Sequence, residues 1–154
     1  MLKVTDCMKQ KVVYITSEAT IREAAELFIQ KHIGTLVVVD QGKHLLGLLQ
    51  LRDIISLAIP DFINLFKKMD FIHDFGVLEQ EKPDAATLKK SVKELMSPVV
   101  SVEADTGLLH AAALLQEHNL TDMPVTDHEG KLVGLISYTD VGVAMLENWE
   151  IHKD

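Results

Sequence analysis

The chain has 154 residues, 47% of them hydrophobic, and a net charge of −8 with only two arginines, Arg22 and Arg52. That length buries a core without staples, and the acidic balance excludes a face built to displace counterions from nucleic-acid phosphates or to lie on an anionic membrane. One cysteine, Cys7, excludes an intrachain disulfide framework; with no apolar run near the ~18 residues of a spanning helix and no signal-peptide core in Met1–Asp6, a soluble cytoplasmic protein is expected.

The first predicted element is a strand at Val12-Val13-Tyr14-Ile15, a β-branched and aromatic run. Ile21, Ala24, Ala25, Leu27 and Phe28 follow near helical spacing, and Thr20 with Glu23 three residues on forms a capping-box start. Gly34 follows the helix, then a strand at Leu36–Val39, a turn at Asp40-Gln41-Gly42-Lys43 and a strand at Leu45–Leu49. A second helix opens at Asp53-Ile54-Ile55.

The middle of the chain is different. Four of the five phenylalanines, Phe62, Phe66, Phe71 and Phe75, fall within 14 residues. Asp61 can cap a helix with Phe62, Leu65, Phe66 and Met69 on one face. These phenylalanines either close one end of the core or form a lid or partner-docking patch. Gly76 to Lys82 reads as an acidic loop, and a helix is predicted from Asp84 to Met96.

Past that point the first pattern returns. A shift of 87 sets Ala24-Ala25 on Ala111-Ala112, Asp40 on Asp127, Gly47-Leu48 on Gly134-Leu135 and Asp53 on Asp140, with no gap from residue 13 to 55. The second copy predicts a strand at Val99–Val102, a helix at Gly107–His118, strands at Met123–Thr126 and Leu132–Ile136 around a turn at 128–130, and a helix from Asp140 to about Glu147. Each copy is therefore a β-α-β-β-α unit. The strands are continuous apolar runs, which predicts burial on both faces under helices. The predicted division is residues 1–59, a connector at 60–90, and residues 91–154.

Catalytic motifs are missing: there is no phosphate-binding Gly-rich loop, HExxH, GxSxG or EF-hand loop. None of the seven histidines forms a metal-ligand pair at useful spacing. A non-enzyme without a metal is expected. One place recurs with chemical logic, where a strand runs into an aspartate at a helix start: Gly47–Asp53 and Gly134–Asp140. Helix N-termini offer free N–H groups, and a carboxylate there can accept both hydroxyls of a ribose. Ser137-x-x-Asp140 reads equally as a plain helix cap that needs no ligand.

Leu36–Asp40 with Gly47–Asp53, and Met123-Pro124-Val125-Thr126-Asp127 with Gly134–Asp140, make the chain closely resemble a tandem pair of cystathionine β-synthase (CBS) domains, the Bateman module. The resemblance implies an α/β fold of two pseudo-symmetric β-α-β-β-α units packed through their sheets. It also implies clefts for adenosine-containing ligands such as AMP, ADP, ATP or S-adenosylmethionine, homodimerisation, and regulation of a protein partner. No cofactor is required; the adenosyl compound is a regulatory ligand. Carried onto this chain, cleft one takes Val12, Val13, Ile33, Gly34, Thr35 and Leu36 with Ile136, Ser137 and Asp140. Asp140 would hold the ribose diol and Ser137 the phosphate side. Cleft two takes Leu49, Gln50, Arg52 and Asp53 with Val99, Val100, Leu120, Thr121, Asp122 and Met123. Gln50 replaces the family's usual Ser or Thr, and Asp122 would repel phosphate, so cleft two is expected to be weak. Few cations serve cleft one, which favours AMP or S-adenosylmethionine over ATP. The alternative is a ligand-free dimerisation or docking module.

Overall fold

The computed structural model describes residues 1–59 and 82–151. Copy one contains β1 (Tyr14–Thr16), α1 (Ile21–Lys31), β2 (Thr35–Val39), β3 (Leu45–Gln50) and α2 (Leu51–Ile55). The short α3 (Ala85–Leu88) precedes copy two, which contains β4 (Val102–Glu103), α4 (Leu108–Glu117), β5 (Asp122–Thr126), β6 (Leu132–Ser137) and α5 (Tyr138–Asn148). The order β-α-β-β-α holds in both, as the repeat predicts. The sheets run β1-β2-β3 and β4-β5-β6. Ile15 lies opposite Val38 in a parallel pair, and Val102 opposite Val125 in the equivalent pair 87 residues on.

Local chemistry explains most boundaries. Thr20 Oγ1 accepts from the Glu23 N–H at 3.2 Å, and Glu23 Oε2 accepts from the Thr20 N–H at 3.0 Å, which starts α1. The left-handed residue after α1 is His32, with φ of 50°, rather than Gly34; Asn119, its counterpart 87 residues on, has φ of 52°. The strand expected from Val12 begins only at Tyr14, and that expected from Val99 only at Val102, because the parallel partners start pairing there.

The helix expected from Asp84 to Met96 is broken. Asp84 Oδ1 caps α3 by accepting from the Thr87 N–H at 2.7 Å, but α3 stops at Leu88. Residues 90–92 instead bond to 17–21: Ile21 N–H donates to Lys90 O, Val92 N–H to Ala19 O and Ser91 Oγ to Ser17 O. A one-turn 3₁₀ helix, Val92–Glu94, follows. Tertiary pairing overrides local helix propensity here.

That pairing shows how the chain is organised. Its compact units are Met1–Thr16, Val37–Gly47 and Pro98–Asp154 on one hand, and Ser17–Leu36 and Leu48–Ser97 on the other. In the first, the leader ahead of copy one docks on copy two. Val4 N–H donates to Thr106 O at 2.8 Å, Thr5 N–H to Ala104 O at 3.0 Å, and Lys9 exchanges both backbone bonds with Leu135. In the second, the leader ahead of copy two docks on copy one, through Val92 with Ala19 and Ser97 with Leu48.

Val4 is fully buried in a core cluster with Val102, Leu108, Ala111, Leu115, Met123, Val125, Ile136 and Val141. All of β2 is buried, as expected of a two-face strand. β6 departs from that expectation: Leu132, Gly134 and Ile136 are buried while Val133, Leu135 and Ser137 are half-exposed, the alternation of a strand with one covered face. The phenylalanine-bearing segment, residues 60–81, lies outside the described residues.

Candidate functional site at the start of α5

β6 runs directly into α5, so Ser137 ends the strand and caps the helix. Its backbone is extended, and its Oγ accepts from the Asp140 N–H at 2.9 Å. The capping reading of Ser137 therefore holds. The Asp140 carboxylate does something a cap does not require: its Oδ2 is buried and has no hydrogen-bond partner among the described residues. A buried carboxylate oxygen without a donor costs on the order of 1–3 kcal/mol or more. Its charge is felt nearby, because burial first, then the charges of Asp140 and Asp6, push the Cys7 thiol up from its ordinary value. Cys7 thus belongs to the surroundings of Asp140, which its position in the sequence does not suggest.

The equivalent aspartate in copy one is used differently. Asp53 Oδ2 accepts from the Gln50 N–H at 2.7 Å, closing a local bond at the start of α2. The same scaffold thus carries a carboxylate oxygen with a backbone donor in copy one and one with no donor among the described residues in copy two. Leu51 N–H to Gly34 O and Tyr138 N–H to Thr121 O repeat 87 residues apart, so the backbone frame is the same.

The other predicted residues distribute as follows. Val12 and Val13 line a cavity of about 310 Å³ with Gln10, Lys11, Lys43 and the start of β6. Ile33 and Gly34 line an apolar groove of about 730 Å³ between α1 and α2, and Leu120 and Thr121 line its smaller counterpart of about 400 Å³. Among the described residues, no atom lies within 4 Å of where a Cβ on Gly34 would stand. Thr35 is buried in β2. Leu36, Leu49, Met123 and Ile136 are fully buried and offer no surface to a ligand. Arg52 and Val99 are exposed, and Val100 packs on the core cluster of copy two.

Strand register joins residues assigned to different clefts. Asp122 lies opposite Ser137, and Met123 opposite Ile136, across β5 and β6. Paired residues in an antiparallel ladder share a face, so the Asp122 carboxylate sits on the same face as Ser137. Thr121 Oγ1 donates to Asp122 Oδ2 at 3.3 Å. Among the described residues no helix is long and apolar enough to cross a membrane.

Comparisons agree with this architecture. A family model described as the CBS domain matches twice, over residues 4–59 and 92–147. The chain is 30% identical over 146 residues to the chloroplastic CBS domain-containing protein CBSX2 of Arabidopsis thaliana, covering 90% of this chain and 60% of that protein. It is 29% identical over 149 residues to the CBS domain-containing protein YhcV of Bacillus subtilis (strain 168), covering 96% of this chain and 89% of that one. The chain therefore spans only about three fifths of the length of the plant relative. A crystal structure of CBSX2 in complex with AMP superposes with a TM-score of 0.72 at 25% identity, covering 97% of this chain and 100% of that one. With both copies matched along their β-α-β-β-α course, the chain belongs to the CBS-domain family as a tandem CBS pair.

Proposed function

We propose that this CBS pair is a regulatory module, without catalysis of its own, that binds an adenosine-containing ligand at the start of α5. The unpartnered, buried Oδ2 of Asp140 carries the reading. On binding, a turn of the Asp140 side chain would present this oxygen to a ribose diol, which supplies the donor it lacks as a charge-assisted bond; the Ser137 hydroxyl stands three residues away. That CBSX2 has been crystallised with AMP supports the ligand class. Asp122 on the face of Ser137 disfavours a long phosphate chain, so AMP or S-adenosylmethionine fits better than ATP. Binding would act on a partner only through different affinities for two states of the module.

Calorimetry with AMP, ATP and S-adenosylmethionine tests this. Wild type is expected to bind AMP or S-adenosylmethionine more tightly than ATP. Asp140→Ala should weaken binding about tenfold or more, the cost of a lost hydrogen bond to a charged group, and Asp53→Ala should leave it nearly unchanged. Absence of heat with every ligand would sink the proposal.

A second reading, homodimerisation, is favoured by the groove between α1 and α2. Its rim carries Ile29, Leu51 and Ile55, exposed by 73%, 41% and 50%. In the matching groove of copy two, Gln116 Nε2 donates to Tyr138 Oη at 2.7 Å, so the positions of Ile29 and Leu51 hold a polar pair instead. A second copy of the chain is the occupant we infer. Sedimentation of wild type and Ile29→Asp should give dimer and monomer respectively; a monomeric wild type rejects this reading.

A further inference from the structure

Glu103 at the end of β4, Asp105 in the turn after it and His128 in the turn between β5 and β6 converge on one exposed spot. One ligand atom from each lies within 4.8 Å of the other two, and His128 Nδ1 stands 2.8 Å from Glu103 Oε2. No short motif links residues 103 and 128, so spacing along the chain conceals the cluster.

The backbone holds these donors in place. Ala104 N–H donates to Thr126 O, Thr106 N–H to Glu103 O and Thr5 N–H to Ala104 O, which ties the turn at 103–106 to β5 and to the leader. On the other side, Asp127 Oδ1 accepts from the Glu129 N–H at 2.9 Å and the Lys131 N–H at 3.0 Å, while Gly130 N–H returns to Asp127 O. The Asp40 turn of copy one keeps this chemistry, with Asp40 Oδ1 accepting from the His44 N–H at 2.8 Å. Yet copy one has Thr16, Glu18 and Gln41 where copy two has Glu103, Asp105 and His128. The turns need Asp40 and Asp127; they do not need the imidazole and the Glu103 carboxylate.

We propose that Glu103, Asp105 and His128 bind a divalent transition-metal cation through one imidazole nitrogen and two carboxylate oxygens. Bonds of ~2.0–2.1 Å place tetrahedral ligand atoms roughly 3.3 Å apart, between the 2.8 Å contact and the 4.8 Å limit observed here. Small side-chain adjustments admit the ion. Three protein ligands at an exposed site leave a coordination position for water or an outside donor. The nitrogen ligand favours Zn²⁺ over Mg²⁺, which prefers an all-oxygen shell. The proposal is independent of nucleotide binding.

Calorimetric titration of the chelator-treated full chain with Zn²⁺ and Mg²⁺ tests it, with thermal melting alongside. Wild type is expected to bind one Zn²⁺ per chain, to melt higher with Zn²⁺, and to show no comparable response to Mg²⁺. His128→Gln and Glu103→Gln, both at exposed positions, should each weaken Zn²⁺ binding tenfold or more while leaving the metal-free melting temperature near wild type. His44→Gln, which removes an exposed histidine paired with Asp40, should bind as wild type does. No Zn²⁺ binding, equal binding by His128→Gln, or equal loss in His44→Gln would overturn the site and leave His128–Glu103 as an ordinary surface hydrogen bond.

Discussion

Val4 and Val92 are both fully buried, and each is hydrogen-bonded to the copy other than the one it leads into: Val4 to Thr106 of copy two, Val92 to Ala19 of copy one. Each opens a one-turn 3₁₀ helix of matching form, Val4–Asp6 and Val92–Glu94. Each compact unit thus contains the docking of one copy's leader on the other copy.

The leaders should therefore act as core, not as tails. Val4→Ala and Val92→Ala are each expected to destabilise the protein by about 2 kcal/mol, the cost of deleting buried methyl groups. Val99→Ala, at a position 41% exposed, should change stability by less than about 0.5 kcal/mol. Urea unfolding of the three variants checks this, and equal effects would show that the leaders are not part of the core.

Gly134 has a reason tied to the same crossing. A Cβ there would stand 2.6 Å from Met8 Sδ and 3.0 Å from Lys9 O. Met8 can swing aside, but Lys9 O is held in the Lys9–Leu135 pair. Gly134→Ala should cost about 1–2 kcal/mol through overpacking. Gly34→Ala meets no atom of the described residues within 4 Å and should be close to neutral. Met8→Ala in the Gly134→Ala background should recover part of the loss; additive effects in denaturant unfolding would contradict the contact.

Much of this was legible in the sequence where the signal is local or duplicated. The Thr20–Glu23 capping box starts α1 as read, and the gapless repeat fixes the β-α-β-β-α order twice. What escaped was long-range. Residues 84–96 have helical character on their own, and only pairing of 90–92 with 17–21 breaks them. The leader exchange leaves no periodicity to read. Of the candidate site, Ser137 and Asp140 stood out by repetition at a helix start. Asp122 opposite Ser137, and the Asp140 charge acting on Cys7, depend on register and packing that no motif encodes.

The two turns held by aspartates should respond to acid. Backbone N–H bonds, from His44 to Asp40 and from Lys131 to Asp127, hold both carboxyls below the ordinary carboxylate range. A folded pKa below the unfolded one stabilises the fold above the unfolded value, and the contribution disappears as pH falls through the folded pKa. Stability should thus decline from the ordinary carboxylate range downwards. Asp40→Asn and Asp127→Asn should each flatten that decline when unfolding is followed from neutral to acid pH; an unchanged slope would exclude these turns as the source.

Asp140 and Asp53 should differ in the sign of their effect without ligand. Asp53 Oδ2 takes the Gln50 N–H, so Asp53→Ala removes a helix-start bond and should cost about 1 kcal/mol. Asp140 Oδ2 is buried with no donor among the described residues, so Asp140→Ala relieves an unsatisfied oxygen while Ser137 still caps α5. It should be neutral or stabilising by up to about 1 kcal/mol. Stability kept back at a binding residue is returned when ligand arrives, so an adenosyl compound should raise the melting temperature of wild type more than that of Asp140→Ala. If Asp140→Ala is instead destabilised as much as Asp53→Ala, then the carboxylate is a structural cap in both copies, and the asymmetry between them has no bearing on binding.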